Sequence, residues 1–199
     1  MKNIFFGSIL MVLFSTQVFA GGPWPQPKGK GYFKLSEWWT VFDQHYTDTG
    51  LIDPNLTSGI FNTAFYGEYG ITDRLTLIGN ANLFSRNYVN NLRSGTTGDL
   101  IIEGDALNSV GDIDLGVKYG LTKPGAKIPL ALSLTFGIPS GTASGGRENN
   151  LATGDGEFNQ ILQLDGGTGF KLGNLSAYTS AYVGINNSSF GSCDEAQFT

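Results

Sequence analysis

Few side chains in this sequence could do chemistry, and their spacing narrows the field further. His45 is the one histidine and Cys193 the one cysteine. A hydrolytic site needs a nucleophile and a base within hydrogen-bond reach, and a lone imidazole among scattered serines and aspartates forms no such cluster. One thiol cannot close an internal disulfide, and one histidine offers no imidazole-rich metal site. The run Asn149 to Glu157, with Asp155-Gly156-Glu157, is rich in oxygen ligands but lacks the regular spacing of a calcium loop, and reads as a solvated loop. Gly166-Gly167-Thr168-Gly169 would cradle a phosphate ahead of a helix, but it lies within a strand pattern, where glycines serve close packing. The sequence predicts no catalytic residue, no metal and no cofactor.

A different chemistry resides in polar residues that alternate with apolar ones. Glu68, Asn80, Asn82, Asp114, Lys118 and Asp165 all fall on the polar side of such alternations. Glu68 and Lys118 each stand four residues before a short turn. On strands two apart they would lie at equal depth, roughly 10 Å from each other at ~4.8 Å per strand. Long side chains can meet across that gap, either as an ion pair that fills an interior or as a polar constriction that filters solutes. The first is the favoured reading.

The elements that must position these residues are strands. From Gly111 to Leu121 one face carries Ile113, Leu115, Val117, Tyr119 and Leu121 and the other Asp112, Asp114, Gly116, Lys118 and Gly120, a separation no helix makes. The same period of two marks Tyr32 to Phe42, Gly59 to Ile71, Leu75 to Asn87, Ile128 to Ile138, Gln160 to Phe170 and Leu175 to Ile185. This gives seven strands. Tight turns near 72, 124 and 173 alternate with long loops over 46 to 57, 87 to 110 and 139 to 157.

A soluble β-sandwich alternates too. Three features favour an outer-membrane antiparallel up-and-down transmembrane β-barrel instead. The apolar faces are almost free of charge, as lipid requires. Aromatic residues (Trp38, Trp39, Tyr46, Tyr69, Tyr119, Phe136, Phe170) gather near strand ends. Short turns alternate strictly with long loops, as in barrels whose turns face the periplasm. The expected lumen-facing residues are then Glu68, Asn80, Asn82, Asp114, Lys118 and Asp165.

Residues 1 to 20 read as a cleavable signal peptide: Lys2, an apolar run from Ile4 to Phe14, and small residues around Val18-Phe19-Ala20. Residues 21–186 form the barrel domain and 187–199 an irregular tail. A net charge of −5 without a basic block makes nucleic acid an improbable partner. Outer-membrane lipid is the expected partner, and the cell outer membrane the expected location.

The segments EYGITDRLTLIGNANLF from Glu68, VGDIDLGVKYGL from Val110, LALSLTFGIPSG from Leu130 and LATGDGEFNQILQLDGG from Leu151 together resemble the MetA-pathway of phenol degradation family of outer-membrane proteins. The resemblance spans about Phe61 to Ile185. It implies an outer-membrane barrel associated by name with handling of aromatic compounds, and assigns no substrate-binding residue.

Seven strands leave a bacterial barrel one short of an even number, with the last strand ending on the outer side. The sequence therefore reads as an incomplete barrel, a truncated product, with a short extra strand near Leu100-Ile101-Ile102 or pairing of copies as rival explanations. The expected function is a channel or transporter for small solutes, hydrophobic or aromatic ones among them. The alternative is a structural or adhesive barrel that uses its long loops. An enzyme is not expected.

Overall fold

The computed structural model describes residues 22–46, 50, 52–53, 56–188 and 195–198. The signal-peptide reading, the Cys193 thiol and the His45 side chain lie outside the described residues. The strands are β1 (Gly31–Phe42), β2 (His45–Tyr46), β3 (Ile52–Asp53), β4 (Ser58–Gly70), β5 (Leu75–Val89), β6 (Leu92–Arg93), β7 (Leu100–Ile102), β8 (Asp105–Ser109), β9 (Ile113–Gly120), β10 (Leu130–Ile138), β11 (Asn159–Leu172), β12 (Leu175–Ser188) and β13 (Glu195–Phe198). No helix occurs among the described residues.

The long strands pair in chain order, β1-β4-β5-β9-β10-β11-β12, with β13 beyond β12. Every pairing is antiparallel, and the sheet curls into a half-barrel. Tight turns collect at one end, hereafter the turn end, and long connections at the other, the loop end.

Burial is inverted relative to a water-soluble sandwich. On β9, Leu115, Val117 and Tyr119 are exposed, whereas Lys118 is only 3 % exposed. Elsewhere Glu68, Thr76, Ser85, Ser133 and Asp165 are buried, while Leu35, Leu77, Leu132, Leu164 and Val183 are exposed. The polar side chains line the concave face and the apolar ones the convex face. Buried polar and charged groups are rare in water-soluble proteins unless paired, so each must find a partner on the concave side.

Alternation breaks at one point in β5. Thr63 opposes Phe84 but Ala64 opposes Asn82, so Leu83 is an extra residue, and Leu83 and Phe84 are both exposed on the convex face. Such a bulge reverses the parity of every later residue. Ser85 and Asn87 therefore turn to the concave face and Arg86 to the convex one. Glu37, opposite Thr63 on β1, shares that convex face. The convex surface is thus not free of charge, and the two exceptions sit beside the bulge and on the edge strand.

The 87–110 connection is more ordered than a plain loop. β6 and β7 form a small separate pair, so Leu100-Ile101-Ile102 adds no strand to the main sheet. β8 pairs with the upper part of β5, above β9 on the same strand. The tail is likewise not wholly irregular: β12 continues through Asn187 and Ser188, and the backbone of Glu195–Phe198 pairs with Val183–Asn186. The β12 edge offers unpaired backbone groups there, and the returning chain takes them up.

Two irregular segments lie against the concave face. The first is a strap, residues 22–30, with Pro23, Pro25 and Pro27 at every second position. Lacking N–H donors at these positions, it cannot join a ladder and stays extended. Trp24 sets its ring edge on Tyr178 of β12, with centroids 5.5 Å apart at 83°. Gln26 N–H donates to Thr76 Oγ1 of β5 at 2.8 Å, Lys28 N–H to Asp73 Oδ1 at 3.0 Å, and Gly29 N–H to the Gly70 carbonyl at 2.8 Å. The strap thus crosses the turn end from β12 to β4 before entering β1. It passes so close to β4 that a Cβ at Gly70 would lie 2.3 Å from the Pro27 carbonyl oxygen.

The second segment is the 139–158 connection, which folds back instead of extending outward. The Asp112 carboxylate accepts Gly141 N–H at 2.9 Å and Asp155 N–H at 2.8 Å. Ser140 Oγ donates to the Gly111 carbonyl and Thr153 Oγ1 to the Val110 carbonyl, both at 2.8 Å. Asn87 Nδ2 reaches the Ala152 carbonyl. Gly145 and Leu151 bridge within the loop, and Leu151 is buried.

Candidate functional site

The concave face is built from alternate residues of seven long strands, and its polar groups form local clusters. At the turn end lies the most enclosed of them. Lys118 Nζ stands 3.1 Å from Glu68 Oε1, with both side chains at most 4 % exposed. Tyr66 Oη donates to the same oxygen at 2.6 Å. Gln26 Nε2 of the strap donates to Oε2 at 2.8 Å. Both carboxylate oxygens are therefore occupied, which a buried charge needs to offset desolvation.

The two charged residues do not share a row. Glu68 opposes Ile78, which opposes Gly116, whereas Lys118 opposes Thr76. They are offset by two residues along the strands and meet diagonally. Equal depth, expected from turn spacing alone, is corrected by the observed register. The pair forms because a long lysine side chain spans the offset.

Further toward the loop end, Asn80 and Asp114 are direct cross-strand partners, with Asn80 Nδ2 3.1 Å from Asp114 Oδ2. Asn82 lies on the same face against Gly111, whose N–H donates to the Asn82 carbonyl at 2.9 Å. Across the curl, Asp165 of β11 accepts Gln163 Nε2 at 2.7 Å and Ser133 Oγ at 3.4 Å. Nearer the loop end still, Ser85 Oγ donates to Asn62 Oδ1 at 2.6 Å. All six residues singled out from the sequence thus occupy the concave face, but in separate clusters on different strands.

Several contributors were not visible from sequence. Gln26 and Trp24 belong to the strap, whose Pro-X-Pro pattern signals extended chain without saying what it lies on. Asp112 was assigned to the polar side of its strand, yet its role as the anchor of the 139–158 connection depends on tertiary folding. The nearest sequence signal is Gly154: a Cβ there would run into the Asp112 carboxylate, so a side chain at this position has to push that carboxylate aside.

The Asp155-Gly156-Glu157 run spends its ligands locally. Asp155 accepts Glu157 N–H and Asn159 Nδ2, each at 2.8 Å. Among the described residues no group of three or more histidine, cysteine or carboxylate side chains is placed to hold a metal ion. What the arrangement can do is bind polar groups weakly along a wall and restrict what passes between the strap and the folded-back loop.

The described residues therefore define an antiparallel all-β half-barrel with an apolar convex face and a polar, partly obstructed concave one. No protein-family model, no curated protein and no solved structure matches this chain.

Proposed function

We propose that this protein is an outer-membrane β-barrel channel or transporter for small solutes, hydrophobic or aromatic ones among them. The observation that carries the reading is the inversion of burial: Glu68, Lys118 and Asp165 are enclosed while Leu35, Leu115, Leu164 and Val183 point outward. In water that arrangement wastes the hydrophobic effect. In a bilayer it is the stable one, because lipid covers the convex face and the concave face becomes a wet interior. Tight turns at one end and long connections at the other accord with a barrel inserted after export, turns toward the periplasm. Aromatic solutes enter the proposal only through the sequence resemblance to the MetA-pathway of phenol degradation family, which no family-model match backs.

The half-barrel needs completion. Among the described residues β1 pairs on one side only, and an open edge within hydrocarbon would leave backbone groups unsatisfied at several kcal/mol each. In hydrocarbon the β1 edge therefore needs a strand to pair with it. An adhesive role for the loops gains less support, since the 139–158 connection turns inward onto the sheet.

The test is folding followed by conductance. The protein is expected to acquire β-structure on dilution from urea into lipid vesicles, and to conduct ions in planar bilayers. A monomeric, folded protein in detergent-free buffer removes the membrane reading. Membrane insertion without conductance removes the conduit and leaves the anchor.

A further inference from the structure

We infer that the turn-end mouth carries a binding site for small aromatic carboxylates, built from Trp24, Tyr178, Lys127 and Lys171 on a floor at Gly169. The inference deepens the conduit reading, naming the class of solute at one end of the path.

The site is a cavity of about 520 Å³ beside the strap, lined among others by Trp24, Lys127, Pro129, Gly169, Lys171 and Tyr178. That volume lies within the range of small-molecule sites, roughly 300–1,000 Å³. It exists because β11 and β12 run past β10. The last β10 pairing joins Leu130 to Gly166, whereas β11 and β12 remain paired to Leu172 and Leu175. The hairpin projects beyond its neighbour, and the turn carrying Lys127 packs at its side, with Thr168 Oγ1 donating to the Lys127 carbonyl at 3.1 Å.

The walls select for a flat ring. Trp24 and Tyr178 stand edge to face, a pair that takes a third aromatic in either stacked or edge-on geometry. Gly169 leaves the floor bare: a Cβ there would meet only the Ala177 carbonyl oxygen, at 3.9 Å.

The charges select for an anion. Such rings alone would also attract a cation, but two lysines border the cavity. Among the described residues neither ammonium meets a carboxylate. The surroundings add to the field. Lys28, Lys30, Arg74 and Lys123 lie on the same strap and turns, and the one carboxylate there, Asp73, accepts the Lys28 N–H. A chain of net charge −5 thus presents a basic rim at this end, which raises the local concentration of anions.

The test titrates sodium benzoate at low ionic strength into the full chain folded in a non-ionic detergent. Trp24 fluorescence is read in a Trp38→Phe/Trp39→Phe background. Saturable quenching is expected, with benzyl alcohol, which lacks the anion, about tenfold weaker or worse, the size of one charge-assisted contact, and cyclohexanecarboxylate, which lacks the flat ring, weaker by about the worth of one aromatic contact. Gly169→Leu should abolish binding while the circular dichroism stays that of the parent. Lys127→Met/Lys171→Met should weaken binding about tenfold or more. No saturable quenching, equal affinity for benzyl alcohol, or undiminished binding by Gly169→Leu overturns the site. So does tightly retained phosphatidylglycerol that benzoate fails to displace, which would assign the cavity to a lipid headgroup. Conductance is measured separately. A conducting protein that ignores benzoate loses the site and keeps the conduit, and a benzoate binder without conductance does the reverse.

Discussion

Gln26 and Glu68 join the strap to the sheet: the Gln26 amide donates to Glu68 Oε2 at 2.8 Å, while Lys118 holds the other carboxylate oxygen at 3.1 Å. The ion pair is thereby sealed from any path along the concave face. The expected role is structural, filling the interior, and not that of a filter. Lys118→Met leaves a buried carboxylate without its cation and should destabilise the fold by about 3–5 kcal/mol. Glu68→Gln/Lys118→Met should recover most of that loss. Urea unfolding midpoints in detergent check both, and single-channel conductance and ion preference should stay near parent values in the double variant. A changed ion preference there would restore the filter.

The strap narrows the turn end because contacts of Trp24, Gln26, Lys28 and Gly29 hold it there. Gln26→Ala removes the one side-chain hydrogen bond from the strap to the Glu68 carboxylate and should cost about 1.5–3 kcal/mol. Since the strap's other anchors persist, the expected functional change is modest, a rise in conductance with more frequent opening. Deleting residues 23–27 should raise conductance further. If neither variant changes conductance, the strap does not line the path.

The strands were legible in the sequence because period two is a local property. The observed bounds of β4, β5 and β11 depart from the expected ones by a residue or two, and away from the bulge in β5 the residues facing each way follow from alternation. What stayed hidden depends on register and on chain doubling back. The extra Leu83 reverses the faces of Ser85 and Arg86, yet nothing in the sequence around it marks a bulge. The diagonal meeting of Glu68 and Lys118 likewise reflects pairing along three strands and not distance from a turn. The strap and the 139–158 connection are written in proline and glycine, residues that announce irregular chain but not its destination.

Asp112 is the point on which the folded-back connection turns, since its two oxygens take Gly141 N–H and Asp155 N–H. Asp112→Ala strands both donors and removes two hydrogen bonds to a charged group, each worth about 1.5–3 kcal/mol. The connection should detach locally before the main sheet unfolds. Limited proteolysis should show rapid cleavage between 141 and 155 in the variant and slow cleavage in the parent, with the remaining fragments still paired. Gly154→Ala should act in the same direction, because its methyl carbon would collide with that carboxylate.

Acid should loosen the same connection at a second point, where Arg147 pairs with Glu103. The Arg147 guanidinium, first by hydrogen bond and then by charge, holds the Glu103 carboxyl below its ordinary value of 4.5, against a smaller opposing push from Asp105. A carboxyl depressed in the folded state contributes fully above its unfolded value and loses that contribution as pH falls through the folded one. The contact should therefore be intact at pH 7 and fade below about pH 4.5, not on the alkaline side. Both partners are exposed, so the effect is small and screened by salt. Hydrogen exchange of the Arg147 amide region, followed from pH 6 to pH 3 with correction for intrinsic exchange, should show protection falling only at the acid end. Asp105 accepts the Arg147 N–H and is likewise held below its ordinary value by that bond, so Glu103→Gln should flatten the profile in part and Glu103→Gln/Asp105→Asn should flatten it fully. An unchanged profile in the double variant would assign the acid response to other carboxylates on the loop end.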